Sequence, residues 1–345
     1  MNERVVMVKV DRGVFGAELE TTIFKPDGDG PFPLAVINHG KAPGNPVFQE
    51  RARHLVASRE FVRRGYVVAL PMREGFSKST GTYNSGGCNI TSNGENQAEW
   101  VAGAIDWLRT QPYVDKDRIV VVGQSHGGLT TLAVGAMNPP GVRALINFAG
   151  GLKVTSNNCL WENSLAQAFA RYGARSTLPS LWFYGDNDSY FPPPVWRDLE
   201  AQYRGAGGKV RLVAFGSFGS DAHGLFSSRS GVPVWAPEVE KLLESVGMPS
   251  RPAAPVGDIP RPPRSDFAAL EDEAAVPHVG ANGRKGYATF LQKGLPRAFA
   301  ISGTGAWGWA AEGDDPTARA IANCQKHSKA PCRLYAVDEE VVWRP

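Results

Sequence analysis

Six short, nearly continuous apolar runs recur along the chain, at 34–37, 66–70, 119–122, 144–148, 180–184 and 210–213. Runs this short and rich in β-branched residues read as strands buried on both faces, the condition of a parallel sheet. Residues 17–23 differ, since Ala17, Leu19, Thr21 and Ile23 alternate with polar residues as in a half-buried strand. Between the runs lie helical patterns. In 97–111, Trp100, Val101, Ala104, Ile105 and Leu108 recur on one helical face. Further helices are expected near 48–64, 126–137, 160–173, 195–206 and 237–246. Strands that alternate with helices build βαβ units, so the expected fold is α/β with a mostly parallel, doubly wound sheet.

At 345 residues the chain can hold one large domain and a small one. The first is expected over 1–248. Between 249 and 277 stand 7 of the 26 prolines, so 249–279 reads as a linker, extended in its first half with a short helix near 265–275. Residues 280–345 form a small α+β module. A hairpin is expected from 298–301 and 307–310, then a helix ending near Cys324, then strands at 332–337 and 341–343. Trp307 and Trp309 could serve a binding surface, but small β-structures usually bury such rings as core.

The net charge of +3 is spread along the chain without a basic block, which argues against nucleic acid as a partner. No run approaches 18 apolar residues, so membrane insertion is not expected. Cys88, Cys159, Cys324 and Cys332 are even in number and lie in polar surroundings. That pattern suggests disulfides Cys88–Cys159 and Cys324–Cys332 and an oxidising compartment, periplasmic or secreted after removal of a leader. The alternative is four reduced thiols in the cytoplasm. The first six residues do not resemble a signal peptide. Neither the cysteines nor the six scattered histidines have metal-site spacing, and no cofactor is expected.

The chemistry concentrates in Gly123-Gln124-Ser125-His126-Gly127, which directly follows the run 119–122 and precedes a small-residue helix. A strand–turn–helix of this kind projects the serine hydroxyl above a sheet, and the helix N-terminus favours negative charge there. Serine needs a base, and the base an orienting acid. Of the histidines after Ser125, His278 abuts the linker and His327 lies in the small module. His223 follows the run 210–213, where a base is expected. The acid should follow 180–184, where Asp186 and Asp188 both stand. An oxyanion would need preorganised N–H donors, expected from the backbone of His126 and of Lys41 in Asn38-His39-Gly40-Lys41. Trp161, Tyr190, Phe191 and Arg73 lie in loops at the carboxyl ends of strands and are candidates for a substrate pocket.

Together these pieces resemble the dienelactone hydrolase-like branch of the α/β-hydrolases over roughly 15–247. The resemblance rests on Asn38-His39-Gly40, 73–79, Gly123–Gly128, Phe148–Gly151, Gly185-x-x-Asp188-x-x-x-Pro192 and Ala222-His223-Gly224. It implies an eight-stranded α/β-hydrolase sheet and selects Asp188 as the acid, leaving Asp186 as a turn former. Dienelactone hydrolase itself uses cysteine as nucleophile, whereas Ser125 stands here, which points to an ordinary small-molecule ester as substrate. The rival readings are an amidase or small peptidase with the same triad, and a binding protein with a vestigial site.

Overall fold

The computed structural model describes residues 1–345 except 14, 156–157, 254, 258–260 and 312–315. Two compact units divide the chain, Met1–Gly257 and Asp258–Pro345.

The first unit begins with strands β1 (Asn2–Arg12), β2 (Phe15–Lys25) and β3 (Phe32–Asn38). Helix α1 (Leu55–Arg63), strand β4 (Val67–Pro71), helix α2 (Ile90–Arg109) and strand β5 (Val114–Gln124) follow. Then come α3 (His126–Met137), β6 (Val142–Phe148), α4 (Trp161–Arg175) and β7 (Ser180–Tyr184). The unit closes with α5 (Pro193–Gly205), β8 (Val210–Ala214) and α6 (Val232–Ser245). The eight strands form one sheet in the order β1-β2-β4-β3-β5-β6-β7-β8. β3 to β8 are parallel, and β1 and β2 run antiparallel at one edge.

The apolar runs are continuous because both faces of the sheet are covered. In β5, Ile119 and Val121 join one core, whereas Val120 and Val122 join the core on the opposite face. Chain order reverses at β3, which lies between β4 and β5. Loops leaving the carboxyl ends of β3 and β5 therefore meet at a topological switch point, where open α/β sheets bind ligands.

Local departures from the sequence pattern have physical causes. Helix α2 starts at Ile90, seven residues before 97, and its first turn is capped by Asn89, whose side chain accepts from Ser92 N–H. Its early inward positions are polar, Asn93 and Gln97, which hides the amphipathic period there. Helix α1 begins only at Leu55, after a short 3-10 turn at Pro46–Phe48. Strand β1 was not anticipated; its Val8 and Val10 pack with Leu19 and Trp100. Residues 249–253 and 255–257 belong to the first unit. Tyr66 Oη donates to Pro249 O, Arg64 Nε to Ser250 O and Arg59 Nη2 to Val256 O, at 2.7, 2.7 and 3.0 Å.

The second unit contains α7 (Ala281–Leu291), β9 (Arg297–Ser302), β10 (Trp307–Ala311), α8 (Pro316–Gln325), β11 (Cys332–Val337) and β12 (Glu340–Val341). Its strands form an antiparallel sheet in the order β10-β9-β11-β12. In place of a helix at 265–275 there is only a 3-10 turn, Glu273–Ala275. Helix α7 escaped the pattern because Gly283 and Gly286 interrupt it. A Cβ at Gly286 would sit 2.3 Å from the Trp307 ring, so the glycine is what lets that ring dock. Trp307 stacks on Phe299 at 5.9 Å, as core packing requires.

Candidate active site

Ser125 occupies the turn between β5 and α3 with φ 57° and ψ −126°, a conformation costly for any side-chain-bearing residue. The turn is held from several sides. Ser125 N–H donates to Phe148 O at 2.9 Å, and Ser125 O accepts from Gly128 and Gly151 N–H at 2.8 and 3.0 Å. A Cβ at Gly127 would lie 2.0 Å from Asn38 O, so the loop after β3 can pass only because that residue is glycine. The same loop brings Gly40 against Ser125: a Cβ on Gly40 would be 3.5 Å from Ser125 Cβ.

Asp188 and His223 meet directly. His223 Nδ1 donates to Asp188 Oδ2 at 3.0 Å, and the carboxylate is fully out of solvent. Asp188 Oδ1 also accepts from Tyr190 and Phe191 N–H at 2.8 and 2.9 Å, which fixes the acid's orientation. Ser125 Oγ makes no hydrogen bond among the described residues; such contacts are often long without substrate and tighten when it binds. Its neighbour supplies the link, since Gln124 Nε2 donates to His223 O at 2.8 Å. Asp186 stays in the turn, donating its N–H to Gly216 O at 2.8 Å.

His126 is the first residue of α3, so its N–H has no intrahelical acceptor. Its ring is buried. Nδ1 accepts from Arg73 Nη2 at 3.0 Å and Nε2 donates to Asn93 Oδ1 at 2.6 Å. The Lys41 ammonium caps its own loop, donating to Ala42 O at 3.2 Å, and partial burial lowers its pKa. His39 is buried, with its ring edge on Phe76 at 4.8 Å. Burial and the neighbouring Arg73 charge hold the pKa of both histidines well below the ordinary value.

The four pocket candidates separate. Tyr190 is 40% exposed and its ring lies 4.6 Å from that of His223. Trp161 is half-buried, 6.3 Å from Phe191. Phe191 is 1% exposed and belongs to the main core, so it shapes the site from beneath rather than lining its mouth. Arg73 is 0% exposed and cannot meet a substrate at the surface; it donates to Gln97 Oε1, His39 O and His126 Nδ1.

Cys88 and Cys159 are bonded, joining the loops that follow β4 and β6 at the carboxyl edge. Cys324 and Cys332 are bonded within the second unit. Among residues that motif reading passed over, Asp221 stands out. It accepts from His223 N–H at 2.9 Å, from Ser189 N–H at 3.1 Å and from Ser189 Oγ at 2.6 Å, clipping the acid loop to the histidine loop. An Asp two residues before the His is a visible cap signal, but its partner 32 residues away is not. Asn93 and Gln97 carried no such signal: Asn93 lies before the helix expected over 97–111, and both are polar residues at buried positions of α2.

Comparison with known proteins places this geometry in context. Residues 16–181 match the family described as X-Pro dipeptidyl-peptidase (S15 family), a span that includes Ser125 and Arg73 but stops short of Asp188 and His223. A 136-residue stretch is 29% identical to Protein bem46 of Schizosaccharomyces pombe, covering 35% of this chain and 41% of that protein's length. Among solved structures, an acylaminoacyl peptidase from Pyrococcus horikoshii is similar with a TM-score of 0.53 and 16% identity, over 72% of this chain and 42% of that one. Thermogutta terrifontis esterase 2 matches with a TM-score of 0.51 and 19% identity, over 72% and 96%. The fold is thus shared with esterases and peptidases alike. The chain has the α/β-hydrolase fold.

Proposed function

We propose that the chain hydrolyses carboxylic esters of small molecules through an acyl-enzyme on Ser125. The reading rests on the buried Asp188–His223 contact lying on the same sheet edge as the strained Ser125 turn. In the proposed cycle His223 Nε2 takes the Ser125 hydroxyl proton as Oγ bonds to the ester carbonyl carbon. The tetrahedral intermediate's oxyanion is met by the N–H groups of His126 and Lys41. Collapse breaks the bond to the alcohol, which leaves with the proton from His223. Water, deprotonated by His223, then attacks the acyl carbon, and Ser125 departs carrying that proton. Asp188 holds the imidazole in the required tautomer and stabilises its charged form. Tyr190 and Trp161 form the apolar wall for the acyl group.

The S15 match and the peptidase neighbour favour a second reading, amide or peptide cleavage with the same groups. Matched ester and amide substrates separate the two, and faster amide turnover overturns the ester assignment. Failure of the wild-type protein to label at Ser125 with a fluorophosphonate probe would revive a non-catalytic, ligand-binding role. The two disulfides suit an oxidising compartment, and no helix among the described residues is long and apolar enough to cross a membrane.

A further inference from the structure

Among the described residues three arginines are removed from water, and their surroundings differ. Arg64 is 3% exposed and forms ion pairs with Glu60 and Glu240. Arg297, at 5%, donates to the carbonyls that end α7 and lies beside Asp338 and Glu339. Arg73 is 0% exposed and forms no ion pair among the described residues. Its acceptors are neutral: Gln97 Oε1 at 3.1 Å, His39 O at 2.6 Å and His126 Nδ1 at 3.0 Å. A buried charge without a counter-ion is costly, and packing alone gives no reason to keep one.

The bonds around Arg73 lead to both oxyanion donors of the proposed mechanism. On one side the guanidinium holds the ring of His126, whose other nitrogen is tied to Asn93, so the first residue of α3 is fixed in place. On the other side Arg73 N–H donates to His39 Nε2 at 3.1 Å, which leaves the His39 proton on Nδ1. Nδ1 donates to Gly40 O at 2.6 Å, and Gln49 Nε2 donates to the same carbonyl at 3.1 Å. That carbonyl belongs to the peptide group whose N–H is that of Lys41. Donors on a carbonyl polarise the N–H of the same peptide unit.

We propose that Arg73 is a positioning residue for the hydrolytic reaction: through His39 and His126 it aligns the Lys41 and His126 N–H groups, and its unneutralised charge lies behind the oxyanion they receive. The proposal rests on the serine-hydrolase reading above. It accounts for three buried titratable groups, Arg73, His39 and His126, clustering without a carboxylate partner beside the Ser125 turn. The charge favours the transition state over the neutral substrate, so its loss falls on kcat rather than on KM.

The test compares Arg73→Met, Arg73→Lys and His39→Gln with wild type on one ester, with rates normalised to sites titrated by a fluorophosphonate. Affinity for a boronic acid, which becomes a tetrahedral anion on the serine, is measured alongside. For Arg73→Met we expect kcat to fall roughly 10²-fold with KM within threefold, the scale of losing an oxyanion donor, and boronate affinity to fall in parallel. Arg73→Lys should recover part of both losses, and His39→Gln should show a smaller loss of the same kind. Unchanged kcat per titrated site in Arg73→Met, or a loss carried by KM with boronate affinity intact, overturns the proposal. If Arg73→Met does not fold, Arg73→Lys and His39→Gln decide by the same split. Wild type that fails to label sinks the serine-hydrolase reading itself, whereas labelled wild type with an indifferent Arg73→Met sinks only this inference.

Discussion

The two units of this chain each carry one disulfide and one sheet, yet they use polar burial in opposite ways. In the large unit a subset of the buried polar groups, Asn38, His39, Arg73, Asn93, Gln97 and His126, clusters beside the Ser125 turn, and Asp188 lies on the same sheet edge. In the small unit the buried polar residues among those described are Arg297 and Ser302, and Arg297 serves the end of a helix. The disulfides follow the same division. Cys88–Cys159 spans 71 residues and ties two loops at the carboxyl edge, whereas Cys324–Cys332 spans 8 and joins α8 to β11 inside a small core. An extensive two-faced core can carry the cost of a buried charge without a counter-ion at one edge, as at Arg73. A small core spends its covalent link on holding together.

The sharpest way to break this contrast is at Ser125. On the proposed function, replacement by Ala should lower kcat/KM on a responsive ester by roughly 10⁴- to 10⁶-fold, as in serine hydrolases stripped of their nucleophile. Activity within tenfold of wild type would detach the polar edge from chemistry altogether. Next come the disulfides, where denaturant unfolding of the paired Cys→Ser variants gives the comparison directly. By chain entropy, loss of Cys88–Cys159 should cost about 4 kcal/mol and loss of Cys324–Cys332 about 2.5 kcal/mol. A reversed order would mean that the small unit depends more on its staple than loop length implies.

Acid should act on the polar edge as well. His39 and His126 are buried neutral, with pKa values held below their unfolded ones, so the unfolded chain binds the extra protons. Their contribution is therefore fully present above the unfolded histidine pKa of about 6.5 and is lost as pH falls below it. Unfolding free energy measured from pH 8 to pH 5 should decline below that point, with a shallower decline in His39→Gln. An equal slope in the variant would remove His39 from the account.

Much of this arrangement was legible from residue order alone. The β-branched runs disclosed the parallel strands because both faces of the sheet are covered, as Val120 and Val121 illustrate by entering different cores. Ser125 was legible because its motif falls between a strand and a helix. The network around Arg73 was not, since Gln97, its own acceptor, and Asn93, which holds the His126 ring, occupy inward positions of α2 that an amphipathic pattern assigns to apolar residues. Read as a loop residue, Arg73 invites a substrate role; its burial follows only from contacts made by β3, α2 and α3 together. Helix α7 was hidden for the opposite reason, because its glycines lower helix propensity while making room for Trp307.

The smallest expected effect concerns Asp221, where the large unit also uses an ordinary structural device. Its carboxylate caps the 3-10 turn at Ala222–Ser227 and holds Ser189 across the gap, so it acts on the Asp188–His223 contact only by setting the distance between two loops. A capping side chain is worth about 1 kcal/mol, and if all of that reached the barrier the rate would fall roughly fivefold. Asp221→Ala should therefore reduce kcat a few-fold, while Asp221→Asn, which keeps an acceptor for His223 N–H, should retain most of it. Rates from matched protein preparations check the pair. Equal losses in both would show that the negative charge itself matters, placing a second carboxylate in the electrostatics of the histidine; no loss in either would leave the loops held by Asp188 alone.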